Sequence, residues 1–261
     1  MSAPPRLARV VALLALGLVL GAVCGAAGVW QWHRFTEKRF TNDELRAAAA
    51  APPAPVDEVL APGRPVDLAH RYRTVVATGR YDPAGEVLVR QRQVENRVGF
   101  LVVTPLRTVS GTTLLVSRGF VPATGAATDT PAVPPPPAGP VRVTARVLAS
   151  EAGGLGRGLP DRQVARVDVD ALGQRLGART YGGFAELIDS DPVQTGLSPL
   201  PPPDLGNPAG GAFTGQHLAY VVQWFIFAAF AVIGPALLIL LDRRARRREA
   251  AEGSPEPARA G

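Results

Sequence analysis

The sequence has few of the residues on which metal centres and covalent catalysis depend. It contains one cysteine, Cys24, in 261 residues, which excludes an internal disulfide and a zinc site built from cysteines. It has three histidines and carries no G-x-S-x-G, H-E-x-x-H, phosphate-loop or dinucleotide-binding pattern. We therefore expect a protein that is not an enzyme.

Charged residues are also scarce, at 19% of the chain, although the formal net charge is +6. Five arginines lie together in the block DRRARRR at residues 242–248. Without this block the chain is close to neutral, so its basicity indicates membrane topology and not binding to nucleic acid. We expect no nucleic-acid partner.

Two long apolar runs are what the sequence does contain. Residues 218–241 would reach about 36 Å as a helix, which exceeds a hydrocarbon core of roughly 30 Å. Residues 10–29 have no charged side chain and follow Arg6 and Arg9. Both runs predict transmembrane helices in a lipid bilayer. The alternative for the first run is a cleaved signal peptide ending near Gly25, but its apolar region exceeds the usual length of about 7 to 15 residues.

The arginine block sets the predicted orientation, because the cytoplasmic flanks of membrane helices are rich in lysine and arginine. No lysine or arginine lies between Arg179 and Asp242, so the C-terminus is predicted in the cytoplasm. Two spans return the N-terminus to the same side of the cytoplasmic membrane and place the central domain outside. The predicted segments are a cytoplasmic N-terminus (1–9), the first transmembrane helix (10–29), a juxtamembrane helix extension (30–46), a linker (47–70), an extracytoplasmic β-rich domain (71–190), a return linker rich in proline and glycine (191–217), the second transmembrane helix (218–241) and a basic cytoplasmic tail (242–261).

Three glycines recur every fourth position in the first predicted helix. Gly17, Gly21 and Gly25 therefore share one helix face, where the absence of side chains allows a neighbouring helix to approach closely. We predict that this face packs against the second span. Glycine is also common in membrane helices without such a role, and this remains the alternative.

A polar face follows where the first helix is predicted to leave the bilayer. Trp30 is expected at headgroup depth, and Gln31, Arg34 and Lys38 lie along one side of the helix beyond it. These residues are candidates for contact with a partner protein. The alternative is a solvated face that touches only lipid phosphates.

The central residues carry short runs rich in β-branched side chains, which predict strands. Several connections are so short that successive strands are predicted to be antiparallel neighbours. A short helix through Leu176 is predicted with Asp168 or Asp170 as its cap. The predicted fold class is membrane α+β, with two transmembrane helices flanking an extracytoplasmic antiparallel β-sheet or barrel-like module. The predicted strands are 71–81, 86–94, 98–107, 112–121, 141–149, 164–167 and 181–188.

Two histidines are predicted near the outer ends of the spans. His33 lies about one turn beyond the first span, and His217 immediately precedes the second. A neutral imidazole there is a reasonable axial ligand for haem iron, and Tyr220 and Trp224 would supply apolar surface on the same side of the helix. A histidine that only caps its helix is the alternative at both positions.

Three blocks of sequence carry a resemblance to a known family. They are GVWQWHRFTEK at residues 28–38, the paired segments GFLVVTPL at 99–106 and LVSRGFVP at 115–122, and HLAYVVQWF at 217–225. With the order of span, β-rich module and span, these blocks resemble the Surfeit locus protein 1 family in its bacterial form. Phe120 stands where that family usually has a tryptophan, so an aromatic ring is kept.

The resemblance implies an assembly factor of haem-copper cytochrome c oxidase that binds or guides haem a into oxidase subunit I. It also implies contact with subunit I and with the haem a synthesis machinery. The histidine associated with haem in bacterial members matches His217, and Arg118 and Gly119 of the second block become further candidates for partner contact. A membrane scaffold that stabilises an oxidase assembly intermediate without binding haem remains the alternative.

Overall fold

A computed structural model describes residues 6–125, 129–210 and 214–252 of the chain. The chain divides into a helical unit, Met1–Phe40 with Gly210–Gly261, and a β-rich unit, Thr41–Ala209. The ends of the predicted N-terminus and basic tail, residues 1–5 and 253–261, lie outside the described residues, as do residues 126–128 and 211–213.

Two long helices, α1 (Arg6–Ala50) and α4 (Thr214–Glu252), carry the two apolar runs. Both are long and apolar enough to cross a membrane, by length and composition. Large apolar side chains such as Leu18 and Phe230 are exposed along them, which is typical of helices that face lipid. α1 ends shortly before Pro52 and Pro53, whose rings cannot continue a helix.

The β-rich unit has strands close to each predicted position because β-branched residues suit a pleated surface. The predicted short helix is also present as α3, Val169–Leu176, where the Asp168 carboxylate accepts a hydrogen bond from the Ala171 amide at 3.1 Å. α3 ends at Gly177, whose left-handed φ of 58° suits glycine. The strands are β1 (Ala54–Pro55), β2 (Thr74–Tyr81), β3 (Val87–Val94), β4 (Arg97–Thr108), β5 (Thr113–Pro122), β6 (Val141–Ala149), β7 (Gln163–Val164) and β8 (Thr180–Asp191), and a further helix is α2 (Val56–Val59).

The sheet closes on itself. Its strand order is β1-β2-β6-β8-β5-β4-β3-β7, and β2 also pairs with β4, so β2, β6, β8, β5 and β4 form a closed ring. The β2–β4 pairing runs from Gly79 to Tyr81, and a Cβ added at Gly79 would lie only 2.3 Å from the Arg107 carbonyl oxygen. Glycine is therefore required for the strands to approach this closely.

The fold class is confirmed, but two details of the predicted sheet are wrong. The pairing is mixed, because β5–β8, β1–β2 and β3–β7 are parallel. β2 and β3 are successive in sequence and yet not neighbours, since a 3₁₀ turn at Pro83–Gly85 separates them and closure places β4 beside β2. The short connection between β2 and β3 would permit these strands to pair, but they do not.

The predicted linker at residues 47–70 is also wrong over much of its length. α1 extends to Ala50, β1 pairs with β2, and Val56, Val59 and Leu60 belong to a core cluster inside the barrel. The segment has few large apolar residues, but three of them are grouped at positions 56–60 and are buried in this cluster, and Val66 packs against it. A second core cluster includes Phe120 and Leu172, and it joins the other side of the sheet to α3.

Candidate functional site

The helical unit brings together His217 and Gln31, which are 186 positions apart in sequence. The distance between His217 Nδ1 and Gln31 Oε1 is 3.1 Å. An amide oxygen can only accept a hydrogen bond, so Nδ1–H donates, and in a neutral imidazole the lone pair then lies on Nε2. This hydrogen bond selects the tautomer in which Nε2 is the available metal ligand.

His217 is followed on α4 by two aromatic residues, of which Tyr220 is 50% exposed. No group of three or more histidine, cysteine, aspartate or glutamate side chains that could hold a metal ion occurs in the described parts of the chain. Tyr220 and Trp224 lie three and seven positions further along α4, and Trp224 packs edge to face on Phe227 with ring centroids 6.0 Å apart.

The predicted polar face of α1 is only partly available to a partner. Trp30 is 60% exposed, and the exposed Arg34 pairs with Glu37 at 3.3 Å. Gln31 is engaged by His217, and Lys38 Nζ donates to the Gly210 carbonyl. Trp30 and Arg34 are therefore exposed, whereas Gln31 and Lys38 are half-buried and bind residues far along the chain.

Arg118 was predicted to contact a partner, and this prediction is wrong. Its side chain has 0% exposure, and its guanidinium donates to Glu86 Oε2 at 2.6 Å, where Glu86 is only 5% exposed. Thr104 and Gln194 accept further hydrogen bonds from Arg118 at 2.7 and 2.9 Å. Because every face of the guanidinium is enclosed, Arg118 stabilises the β-rich unit from inside.

Gly119 has a structural role beside Arg118, so its prediction as a contact residue is also wrong. A Cβ at this position would lie 2.7 Å from the Ser198 carbonyl oxygen, and the Gly119 φ is 152°. The neighbouring Phe120 amide donates to the same Ser198 oxygen at 2.8 Å. Glycine is therefore needed for residues 197–198 to lie against β5.

Two of the three predicted packing glycines lie at the contact between α1 and α4. A Cβ at Gly17 would lie 2.5 Å from the Ala231 carbonyl oxygen, and one at Gly21 would lie 2.6 Å from Val232 Cγ2. Pro235 follows Ala231 by four positions and has no N–H, so this carbonyl lacks its helical partner. The absence of a side chain at Gly17 therefore lets α1 lie close to this carbonyl.

Gly25 is the exception, and the prediction for it is wrong. A Cβ there would meet no described atom within 4 Å, whereas one at Gly28 would lie 3.2 Å from the Phe225 ring. A strict spacing of four drifts around a helix with 3.6 residues per turn, while alternating steps of three and four stay on one face. The steps from Gly21 to Cys24 and from Cys24 to Gly28 follow that alternation, so this spacing was the pattern in the sequence that could have predicted Gly28 at the contact with α4.

The other two histidines lie outside this arrangement. His33 is exposed on α1, and His70 Nδ1 lies 2.7 Å from the Asp67 carboxylate in the β-rich unit.

Two contacts could not be predicted from the sequence. They are the hydrogen bond between Gln31 and His217 and the ion pair between Arg118 and Glu86, and each joins residues that are far apart in the chain.

Comparison with known proteins identifies the family to which these features belong. The model of the SURF1 family matches residues 18–229, which include both halves of the His217–Gln31 pair and the whole β-rich unit. Uncharacterized SURF1-like proteins of Mycobacterium bovis and Mycobacterium tuberculosis are each 32% identical to the chain over 264 aligned residues. These alignments cover 97% of this chain and 93% of each relative. The chain therefore belongs to the SURF1 family.

Proposed function

We propose that this protein is an integral membrane assembly factor that binds haem a through His217 and guides it into subunit I of cytochrome oxidase. The SURF1 family is an assembly-factor family associated with cytochrome oxidase. The observation that carries the finer proposal is the hydrogen bond from His217 Nδ1 to Gln31 Oε1 at 3.1 Å. In the neutral ring this contact puts the lone pair on Nε2, the atom that would ligate iron.

In this proposal α1 and α4 span the cytoplasmic membrane with both termini inside the cell. Their exposed apolar surfaces support insertion, and the arginines that follow Leu241 support a cytoplasmic end for α4. The β-rich unit then lies outside the cytoplasm, and His217 lies at the outer end of α4.

Each residue of the site has a separate role. His217 would hold the haem iron through Nε2, Gln31 would hold the proton on Nδ1, and Tyr220 and Trp224 would offer apolar surface to the macrocycle. Iron in a bound haem a would supply the coordination site, and the protein itself moves no electron or proton in this step. Trp30 and Arg34 remain exposed for contact with the oxidase or with the haem a synthesis machinery.

The test is an absorption spectrum of the full-length protein purified from cells that make haem a. We expect a Soret band that His217→Ala abolishes and that His33→Ala, which changes an exposed histidine of the same unit, leaves intact. Gln31→Ala should weaken haem binding by roughly tenfold, and Gln31→Glu, which keeps an acceptor oxygen, should restore it. A protein that never carries haem, or a band that survives His217→Ala, would overturn the proposal.

A scaffold without haem is the second candidate, and one observation favours it. The hydrogen bond to Gln31 already satisfies one nitrogen of His217 and ties α4 to α1, so the histidine has a structural use without a ligand. Oxidase content in cells that carry His217→Gln separates the two functions, because a glutamine amide can still donate to Gln31 but offers no imidazole nitrogen to iron. A scaffold would keep oxidase assembly in this variant, whereas a haem-binding factor would lose it.

A further inference from the structure

A groove of about 590 Å³ lies between α1 and α4 where α1 begins and α4 ends. It is the end of the helical unit opposite to His217 along α4. The groove is apolar on one part of its wall and charged on the other. Its lining consists of Leu7, Arg9 and Val10 from α1 and Ile239, Asp242, Arg243 and Arg246 from α4.

The charged part of the wall is basic. Asp242 accepts a hydrogen bond from Arg246 Nε at 3.0 Å, so these two charges compensate each other. Arg9 and Arg243 form no ion pair among the described residues. Three guanidinium groups less one carboxylate leave a net of two positive charges in the groove.

Only two of the five arginines in the block at residues 242–248, Arg243 and Arg246, line the groove. Positions 239, 242, 243 and 246 follow the spacing of one helix face. Arg244 and Arg248 lie on the opposite face of α4 and do not line the groove. The positive charge of the groove therefore comes from both helices, from Arg9 of α1 and from Arg243 and Arg246 of α4, and it stands beside an apolar wall.

We infer that this groove binds the phosphate headgroup of an anionic phospholipid. Arg9 and Arg243 would hold the phosphate, and an acyl chain would lie along Leu7, Val10 and Ile239 into the bilayer. Free phosphate would use the arginines but gain nothing from the apolar wall, and the ammonium group of a zwitterionic lipid would meet like charge. The inference rests on the proposed membrane insertion and is independent of haem.

The test uses the full chain in phosphatidylcholine nanodiscs that contain a small fraction of phosphatidylglycerol, with bound lipid counted by native mass spectrometry. Arg243→Gln with Arg246→Gln should weaken phosphatidylglycerol binding on the order of tenfold. Arg244→Gln with Arg248→Gln is the matched control, since it removes two charges from the same segment and should leave binding unchanged. Equal loss in both double variants would overturn the proposal in favour of a diffuse basic surface.

A second variant changes binding in the opposite direction and keeps every arginine. Asp242→Asn removes the carboxylate that compensates Arg246, so phosphatidylglycerol should bind several-fold more tightly. Weaker or unchanged binding would contradict the inference. Inorganic phosphate that displaces phosphatidylglycerol at equal concentration would show that the groove takes a free anion instead. The haem spectrum is expected to be unaffected in all these variants, so a failure of this inference is distinct from a failure of the haem proposal.

Discussion

The buried pair of Arg118 and Glu86 is a residue-scale feature whose contribution can be measured. Glu86 Oε2 accepts from Arg118 at 2.6 Å, and Oε1 accepts at 2.7 Å from Arg162, which is 50% exposed. Loss of the carboxylate charge would leave one fully enclosed guanidinium without a counter-charge. Breaking such a pair costs about 3–5 kcal/mol, whereas an exposed pair contributes about 0–1 kcal/mol.

We therefore predict that Glu86→Gln lowers the free energy of unfolding of the β-rich unit by about 3–5 kcal/mol. Arg162→Gln removes the exposed partner of the same carboxylate and should cost about 1 kcal/mol or less. Hydrogen exchange at the β5 amides of the full-length protein measures both. Similar protection in the two variants would show that Arg118 does not depend on Glu86.

Two carboxylates of the β-rich unit predict opposite responses to acid. Burial raises the pKa of Glu186, against the opposing effect of Arg146, so Glu186 adds stability as the pH falls through its folded-state value. The hydrogen bond from Arg107 lowers the pKa of Asp82, so its contribution is present above the unfolded pKa of about 3.9 and is lost in acid.

Thermal unfolding of the full chain between neutral and acid pH tests these signs. As the pH falls, the stability that Glu186 adds to the parent protein should be missing in Glu186→Gln, so this variant should compare less well with the parent in acid than at neutral pH. The stability that the parent protein loses through Asp82 should not be lost by Asp82→Asn, so this variant should compare better with the parent in acid. If the unfolding temperatures of both variants, relative to the parent protein, changed in the same direction on acidification, the assigned causes of the two pKa shifts would be contradicted.

At the scale of elements, the contact between α1 and α4 makes a paired glycine test possible. Gly17→Ala would push a methyl group against the Ala231 carbonyl and should destabilise the helix pair by about 1–3 kcal/mol. Gly25→Ala meets open space and should be neutral or stabilise by up to about 1 kcal/mol, because alanine favours helix. The free energy of unfolding of both variants can be measured for the full chain in mixed detergent micelles. An equal loss of stability in the two variants would mean that the face of α1 that carries Gly17 does not pack against α4.

The elements themselves were predictable from sequence, and their pairing was not. Runs of valine, leucine and threonine placed β2 to β6 within about three residues, and the Asp168 cap located α3. The insertion of β8 between β5 and β6 depends on contacts between distant segments, which local patterns do not encode.

The candidate site was also predictable only in part. The sequence indicated His217 and Gln31 separately, but it did not predict the contact between them. Arg118 was misassigned because an arginine is usually exposed unless it is paired, and its partner Glu86 lies 32 positions away.

At the scale of the whole molecule, the single native cysteine makes the proposed topology testable by labelling. In a Cys24→Ser background, Val109→Cys places a thiol at a position that is 83% exposed in the β-rich unit. Ala245→Cys places one beyond the second apolar run. A maleimide that cannot cross membranes should label position 109 in intact cells and position 245 only after the cells are opened. The reverse pattern would place the β-rich unit in the cytoplasm and would contradict the proposed delivery of haem at the outer face.

The two ends of the sheet restrict how another protein can be recognised. The outermost strands, β1 and β7, are each two residues long, and Pro55 in β1 has no amide hydrogen. Beyond the part covered by β7, β3 has an irregularity between Val89 and Arg92 that disturbs its outer edge. An extended peptide therefore finds no continuous row of backbone groups to join. Recognition of a partner by addition of a strand to this sheet is therefore disfavoured, and the same short edges protect the described sheet against fibril formation.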